Sequence, residues 1–173
     1  MSTTLSQKLL TLAVLLSIVG LNVPTATAED PFWPCFHGAA GDNISTDTGL
    51  LSQWPTDGPE LVWTAKGLGV GYASVSLAHG LIYTAGNIDE NTVVMALDLD
   101  GNMVWQTPCG KAWTSSHEGT RSTPTIDGEQ LYYETPLGDL VCLDAKKGEK
   151  IWELNILNEF VAKTSAGRWP NPC

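Results

Sequence analysis

Residues 96–105 read ALDLDGNMVW and residues 142–152 read CLDAKKGEKIW. Each runs from a small residue through Leu-Asp and a short linker to Gly, then on to a Trp. A phrase that returns within one chain constrains the fold more than composition does. A repeated supersecondary unit buries its apolar face only against neighbouring copies of itself. In this phrase Asp98 and Asp144 can accept backbone N–H groups across the turn, while Gly101 and Gly148 take the left-handed backbone. Both carboxylates are therefore read as turn locks rather than catalytic groups.

The echo extends beyond the turn. Trp63, Trp105 and Trp152 each follow an apolar residue (Val62, Val104, Ile151), and their spacing of ~40–50 residues suits one propeller blade. Tyr83 and Tyr132 hold matching places in LIYTAG and QLYYET. Short apolar runs bounded by Gly turns predict strands at 61–65, 74–78, 81–86, 92–98, 102–107, 122–126, 130–135, 139–144 and 150–155. One unit then runs from a Trp strand through a small-residue strand, a Tyr strand and a Leu-Asp strand to the next Trp. Helical periodicity is nearly absent after the leader, so the expected fold class is all-β. Four antiparallel strands per unit make about two blades of a β-propeller, and a β-sandwich with look-alike hairpins is the alternative. The indole, a large apolar body with one N–H to satisfy, suits the joint between stacked sheets.

The flanks read differently. Lys8, the apolar run 9–21 and Ala26-Thr27-Ala28 have the pattern of an export signal, so residues 1–28 are expected to be removed. The run is short for a membrane span and is followed by Pro24, although an uncleaved anchor is the alternative. The chain is thus expected in the periplasm or outside the cell, with no transmembrane segment after cleavage. Residues 29–59, rich in Gly, Pro, Asp and Thr, predict an extended arm; 60–160 hold the repeats; 161–173 form an irregular tail. The formal charge of −10 argues against a nucleic-acid partner, which needs clustered Lys and Arg. Cys35, Cys109, Cys142 and Cys173 contain no CxxC and fit no compact disulfide framework. One pair could bond, with the others buried thiols and Cys173 free.

With its repeats aligned, the chain resembles the PQQ-like β-propeller repeat family. CLDAKKGEKIW carries the family's Leu-Asp-Ala-x-x-Gly-x-x-x-Trp hairpin, whereas ALDLDGNMVW is one residue shorter in the turn and lacks the Ala. GTRSTPTIDGEQLYY (119–133) resembles the strand pair ahead of that hairpin. WPCFHGAAGDNIST and TGLLSQWPTDGPELVWTAKGLGVGYASV resemble the N-termini of secreted bacterial, planctomycete-type members. The likeness spans about residues 33–157. The family includes quinoprotein dehydrogenases and the periplasmic propeller lipoprotein of the outer-membrane barrel assembly machinery. Its catalytic members bind pyrroloquinoline quinone and calcium through an adjacent Cys pair, a stacking Trp, carboxylate and Asn ligands and an Asp base. None of these carries over onto this sequence. Other members are scaffolds without the cofactor. The family usually has seven or eight blades, so two imply either a truncated product or an open edge, truncation being the expectation.

Candidate chemistry is sparse. His117, Glu118 and Arg121 cluster before a small-residue strand of the sort that lines a propeller axis. By resemblance, His117, Arg121 and Thr123 could face the channel, with Arg121 binding an anionic or carbonyl group. Alternatively Arg121 pairs with a carboxylate at the blade rim. His37, His79 and His117 lack metal-ligand spacing, His79 reading as a solvated turn residue, and Cys35 with His37 makes half a metal site at best. Gly67, Gly69 and Gly71 lack the spacing and the following helix of a phosphate cradle. No nucleophile elbow is present. The sequence thus points to an exported, non-catalytic module that binds another protein or further blades, with no cofactor expected. A fragment of a quinone- and calcium-dependent alcohol or sugar dehydrogenase and a carbohydrate-binding β-domain are the alternatives. The latter draws on the seven Trp.

Overall fold

The computed structural model describes residues 30–160. Eight strands form two antiparallel sheets of four, each in chain order. The first holds β1 (Ser76–Ala78), β2 (Leu81–Ile88), β3 (Asn91–Asp98) and β4 (Met103–Lys111). The second holds β5 (Thr125–Asp127), β6 (Gln130–Glu134), β7 (Asp139–Asp144) and β8 (Lys150–Asn155). One helical turn, α1 (Ile156–Glu159), follows with Asn155 as its N-cap. The fold is all-β, two propeller-type blades. No helix among the described residues is long and apolar enough to cross a membrane. The expected leader (1–28), the tail (161–173) and Cys173 lie outside the described residues.

The sheets repeat residue for residue. Across the first, Ser76 pairs with Tyr83, Tyr83 with Ala96, and Ala96 with Trp105. Across the second, Thr125, Tyr132, Cys142 and Trp152 take the same places. The Tyr and Trp rings of each row lie 6.1 Å apart and tilted. The first Leu-Asp/Trp hairpin slips register between Thr92 and Val93, and both slip at an equivalent point, between Ala96 and Leu97 and between Cys142 and Leu143. The residue left unpaired is the apolar one before the Trp, Val104 or Ile151, and it turns outward half-exposed. A bulge of this kind twists the outer strand and re-aims its neighbour.

Stacking buries the face of the first sheet that carries Tyr83, Ala85, Val94, Ala96 and Cys109 against Ile126, Leu131, Tyr133, Val141 and Leu143 of the second. Alternation along strands of period two sends those side chains to one side. Trp105 packs at the rim of this core.

Three sequence expectations change. Residues 61–65 form no strand; the run is apolar, but no described strand lies beside it to accept its ladder. The Trp strand also ends a sheet instead of beginning one, because the tight Asp–Gly turn folds it back as a hairpin on the Leu-Asp strand. Cys35, Cys109 and Cys142 are all free thiols, Cys109 and Cys142 buried as small apolar residues in different sheets.

The arm is bonded into the fold. Trp33 exchanges both backbone hydrogen bonds with Leu77 of β1 (2.8 and 2.9 Å), and the Pro34 carbonyl accepts from Ile126 N–H of β5 at 2.8 Å. It thereby ties together the innermost strands of both sheets. Gly69 and Gly71 serve close approach, to Asn87 and Thr120, whereas Gly67 takes a left-handed turn with φ of 77° in open space. Val70 and Asn87 exchange hydrogen bonds, and a Cβ on Gly69 would fall 2.3 Å from the Asn87 carbonyl oxygen.

Candidate functional site

Two places gather the residues singled out by the sequence: the joints between blades, and the inner edge where the arm crosses. At the first joint Asp98 Oδ1 accepts from the N–H groups of Asp100 (3.0 Å) and Asn102 (2.8 Å), and Oδ2 from the Asn102 side chain (3.0 Å). These bonds hold the Asp98 carboxyl below its usual range, the Asn102 side chain acting first. Asp144 Oδ1 accepts from Lys146 N–H (3.0 Å) and Lys147 N–H (2.9 Å). Gly101 and Gly148 have φ of 84° and 71°.

Each of these turns also receives an indole from the preceding segment. Trp63 Nε1 donates to Leu99 O at 2.9 Å, and Trp105 Nε1 donates to Ala145 O at 3.0 Å. A Cβ on Gly101 would fall 2.8 Å from Trp63 Cε3, and one on Gly148 would fall 2.5 Å from Trp105 Cδ2. The acceptor is thus the carbonyl one residue after the turn Asp, and the glycine is the floor on which the ring lies. Thr107 adds a bond to Gly148 O at 2.7 Å. His79 bridges the same two sheets at their inner ends, its Nε2–H donating to Gly128 O at 2.8 Å. His79 is solvent-exposed, yet it is more than the solvated turn residue expected from sequence. The next blade supplies an acceptor that sequence alone does not place.

At the inner edge, Cys35, Phe36 and His37 of the arm face Arg121, Thr123 and Thr125 across a groove of about 380 Å³. The half-buried Arg121 guanidinium donates to His117 O (2.6 Å) and Gly119 O (3.3 Å) and lies 5.7 Å from the centre of the Tyr72 ring. Those carbonyls and that ring fix its direction, since a planar cation is favoured over an aromatic face. His117 is exposed with φ of 56°, and its carbonyl is what Arg121 uses. Arg121 and Thr123 therefore share the groove, and among the described residues the arm side chains Phe36 and His37 join them. Their position so far upstream gave no signal of this; only the Trp33–Leu77 pairing brings them round.

The quinone and calcium implied by the resemblance do not fit the described residues. Cys109 lies on β4 and Cys142 on β7, in different sheets and not vicinal. Burial pushes the Cys109 thiol up to about 11 and raises that of Cys142, so both stay protonated at neutral pH. Asp98 and Asp144 are occupied by their own turns, and the Trp63 and Trp105 indoles by the joints. No cluster of metal-ligating side chains occurs among the described residues.

No curated protein matches the chain. Among solved structures it is similar to a quinohemoprotein alcohol dehydrogenase from Pseudomonas putida HK5, at 23% identity and a TM-score of 0.39, covering 53% of this chain and 14% of that one. The quinohemoprotein alcohol dehydrogenase from Comamonas testosteroni is 20% identical with a TM-score of 0.44, over 57% of this chain and 15% of that one. BamB from Moraxella catarrhalis is 19% identical with a TM-score of 0.29, over 56% and 41%. The chain thus spans less than half the length of each. A family model described as outer membrane protein assembly factor BamB matches residues 34–167, which takes in both sheets. By that match, the chain belongs to the BamB-type family of PQQ-like propeller-repeat proteins.

Proposed function

We propose that the chain is an exported, non-catalytic propeller-repeat module that binds another protein in the cell envelope. In this reading residues 1–28 direct export, 29–59 are the arm, 60–160 the blades and 161–173 a tail. The observation that carries it is the groove of Phe36, His37, Arg121, Thr123 and Thr125. Aromatic rings and arginine are enriched in protein interfaces, and here the exposed Phe36 lines the same groove as an Arg121 guanidinium already oriented by the Tyr72 ring. The family's description as an assembly factor supports the same direction.

The test is capture from an envelope fraction by the folded protein, alongside Phe36→Ala and Arg121→Ala. One protein should be retained by the parent chain and weakened about tenfold or more by either change, as loss of an anchor worth over ~1.4 kcal/mol requires. Retention unaffected by both variants, or no protein retained by the folded parent, rejects the reading.

A further inference from the structure

A second cavity, of about 340 Å³, lies where the arm passes the inner turns of both sheets, and it shares no lining residue with the Arg121 groove. Its apolar base is the buried pair Pro34 and Ile126. Exposed Phe32 of the arm, His79 of the β1–β2 turn, and Asp127 and Gly128 of the β5–β6 turn complete the lining.

Both polar side chains of this lining present acceptors. The Gly128 carbonyl can only accept, so the His79 Nε2 that meets it at 2.8 Å carries the ring hydrogen. The neutral imidazole then keeps Nδ1 as a lone pair. An ionised carboxylate likewise accepts and cannot donate. Asp98 and Asp144 use theirs to hold the N–H groups of their own turns. Asp127 also precedes a turn glycine, yet its carboxylate takes no hydrogen bond or ion pair from any described residue. Neighbouring Glu129, in contrast, is bound to Lys146 at 2.8 Å. Phe32 adds an aromatic face that is 63% exposed. A carboxylate, a ring-nitrogen lone pair and an aromatic face above an apolar base are complementary to a cation that carries N–H donors.

We propose that this cavity binds a primary ammonium group. The two acceptors belong to different sheets, which suits the diverging N–H bonds of an ammonium better than the planar fork of a guanidinium. Asp127 balances the charge, His79 Nδ1 accepts one N–H, and Phe32 with Pro34 and Ile126 covers the alkyl stem. A free amine and a lysine side chain share this chemistry. Because the cavity and the Arg121 groove have no residue in common, either proposal can fail without the other.

Titration of the isotope-labelled full chain with n-butylammonium chloride to about 20 mM, at constant ionic strength near neutral pH, tests it by NMR. Expected is a saturable shift of the Gly128 amide and the His79 ring, with a Kd on the order of 1 mM. Tetramethylammonium has the same charge without an N–H and should bind at least about tenfold more weakly. Asp127→Asn should weaken butylammonium about tenfold, and Phe32→Leu about threefold. The chain's formal charge of −10 attracts cations in general, so Asp89→Asn serves as the control. It removes the same charge at the β2–β3 turn, the opposite end of the first sheet from His79, and should leave the affinity unchanged. Acetyl-Gly-Lys-Gly amide separates the sources: binding about tenfold tighter than butylammonium marks a lysine side chain as the occupant, and equal binding marks a free amine. No saturable shift overturns the proposal. So does tetramethylammonium binding as well as butylammonium, or Asp127→Asn weakening the site no more than Asp89→Asn. If Asp127→Asn fails to fold, the comparison of the two cations on the parent chain decides.

Discussion

Gly148 carries two constraints at once. Its φ of 71° disfavours any side chain, and a Cβ there would meet Trp105 Cδ2 at 2.5 Å. Gly128 separates the two effects: its φ is 57° and nothing lies within 4 Å of its would-be Cβ. Gly128→Ala should therefore cost about 1–2 kcal/mol, the penalty for a left-handed L-residue. Gly148→Ala should cost that plus about 1–3 kcal/mol for forcing the indole out of place. Chemical denaturation of the two variants gives the difference directly, and equal losses would show that the indole is not seated on the glycine. The turn role of the glycine is legible in the sequence, because Leu-Asp followed by Gly has a local mechanism. Its role as a floor is not, because the ring that rests on it comes from about forty residues upstream in a different sheet.

Between the sheets, Tyr83 shows what stacking does to a single group. Its ring is completely buried, its hydroxyl has no hydrogen-bond partner among the described residues, and Glu129 and Asp144 of the second sheet lie near enough to act on it. Burial first, and those carboxylates second, push its hydroxyl up to about 12. A folded value above the ordinary ~10 means the stabilising contribution is complete below pH ~10 and is lost as pH rises towards 12. Tyr83→Phe should match or slightly exceed the parent at neutral pH, because it removes an unpaired buried hydroxyl. It should also lose less stability than the parent between pH 10 and 12. Parallel stability curves across that range would contradict the assignment. Elements whose partners are adjacent in sequence were legible: alternation and Gly turns placed all eight strands to within a few residues. Residues 61–65 form no strand despite their apolar run, because apolarity reports burial potential, not the presence of a neighbour. His79 is the exposed turn residue its position suggests, but its acceptor, Gly128 O, belongs to the next sheet and is not legible locally. In the groove, Arg121 and Thr123 stood out as a polar cluster ahead of a strand, whereas Phe36 and His37 reach it only through the arm's pairing with β1.

At the scale of the whole molecule, the arm decides whether two stacked sheets behave as one body. Sheets that touch only their neighbours are coupled through the interface between them. Here there is a second coupling, because Trp33 bonds to Leu77 in the first sheet while Pro34 bonds to Ile126 in the second. The arm is held in turn by the Trp33 ring, which packs on Gly38 so closely that a Cβ there would lie 2.8–2.9 Å from it. Trp33→Ala removes that clamp without touching either sheet's core. Native-state hydrogen exchange resolves the consequence, because local openings and global unfolding expose different amides. The Leu77 and Ile126 amides should exchange at least about tenfold faster in the variant, a loss of ~1.4 kcal/mol of local protection. Amides within the β2–β3 and β6–β7 ladders should keep their parent rates. If ladder amides in both sheets accelerate to the same degree, the arm is part of the global folding unit. If Leu77 alone accelerates, the Pro34–Ile126 bond does not depend on the Trp33 clamp, and the coupling of the sheets rests on their shared core, the Trp105 joint and the Thr107–Gly148 and His79–Gly128 bonds.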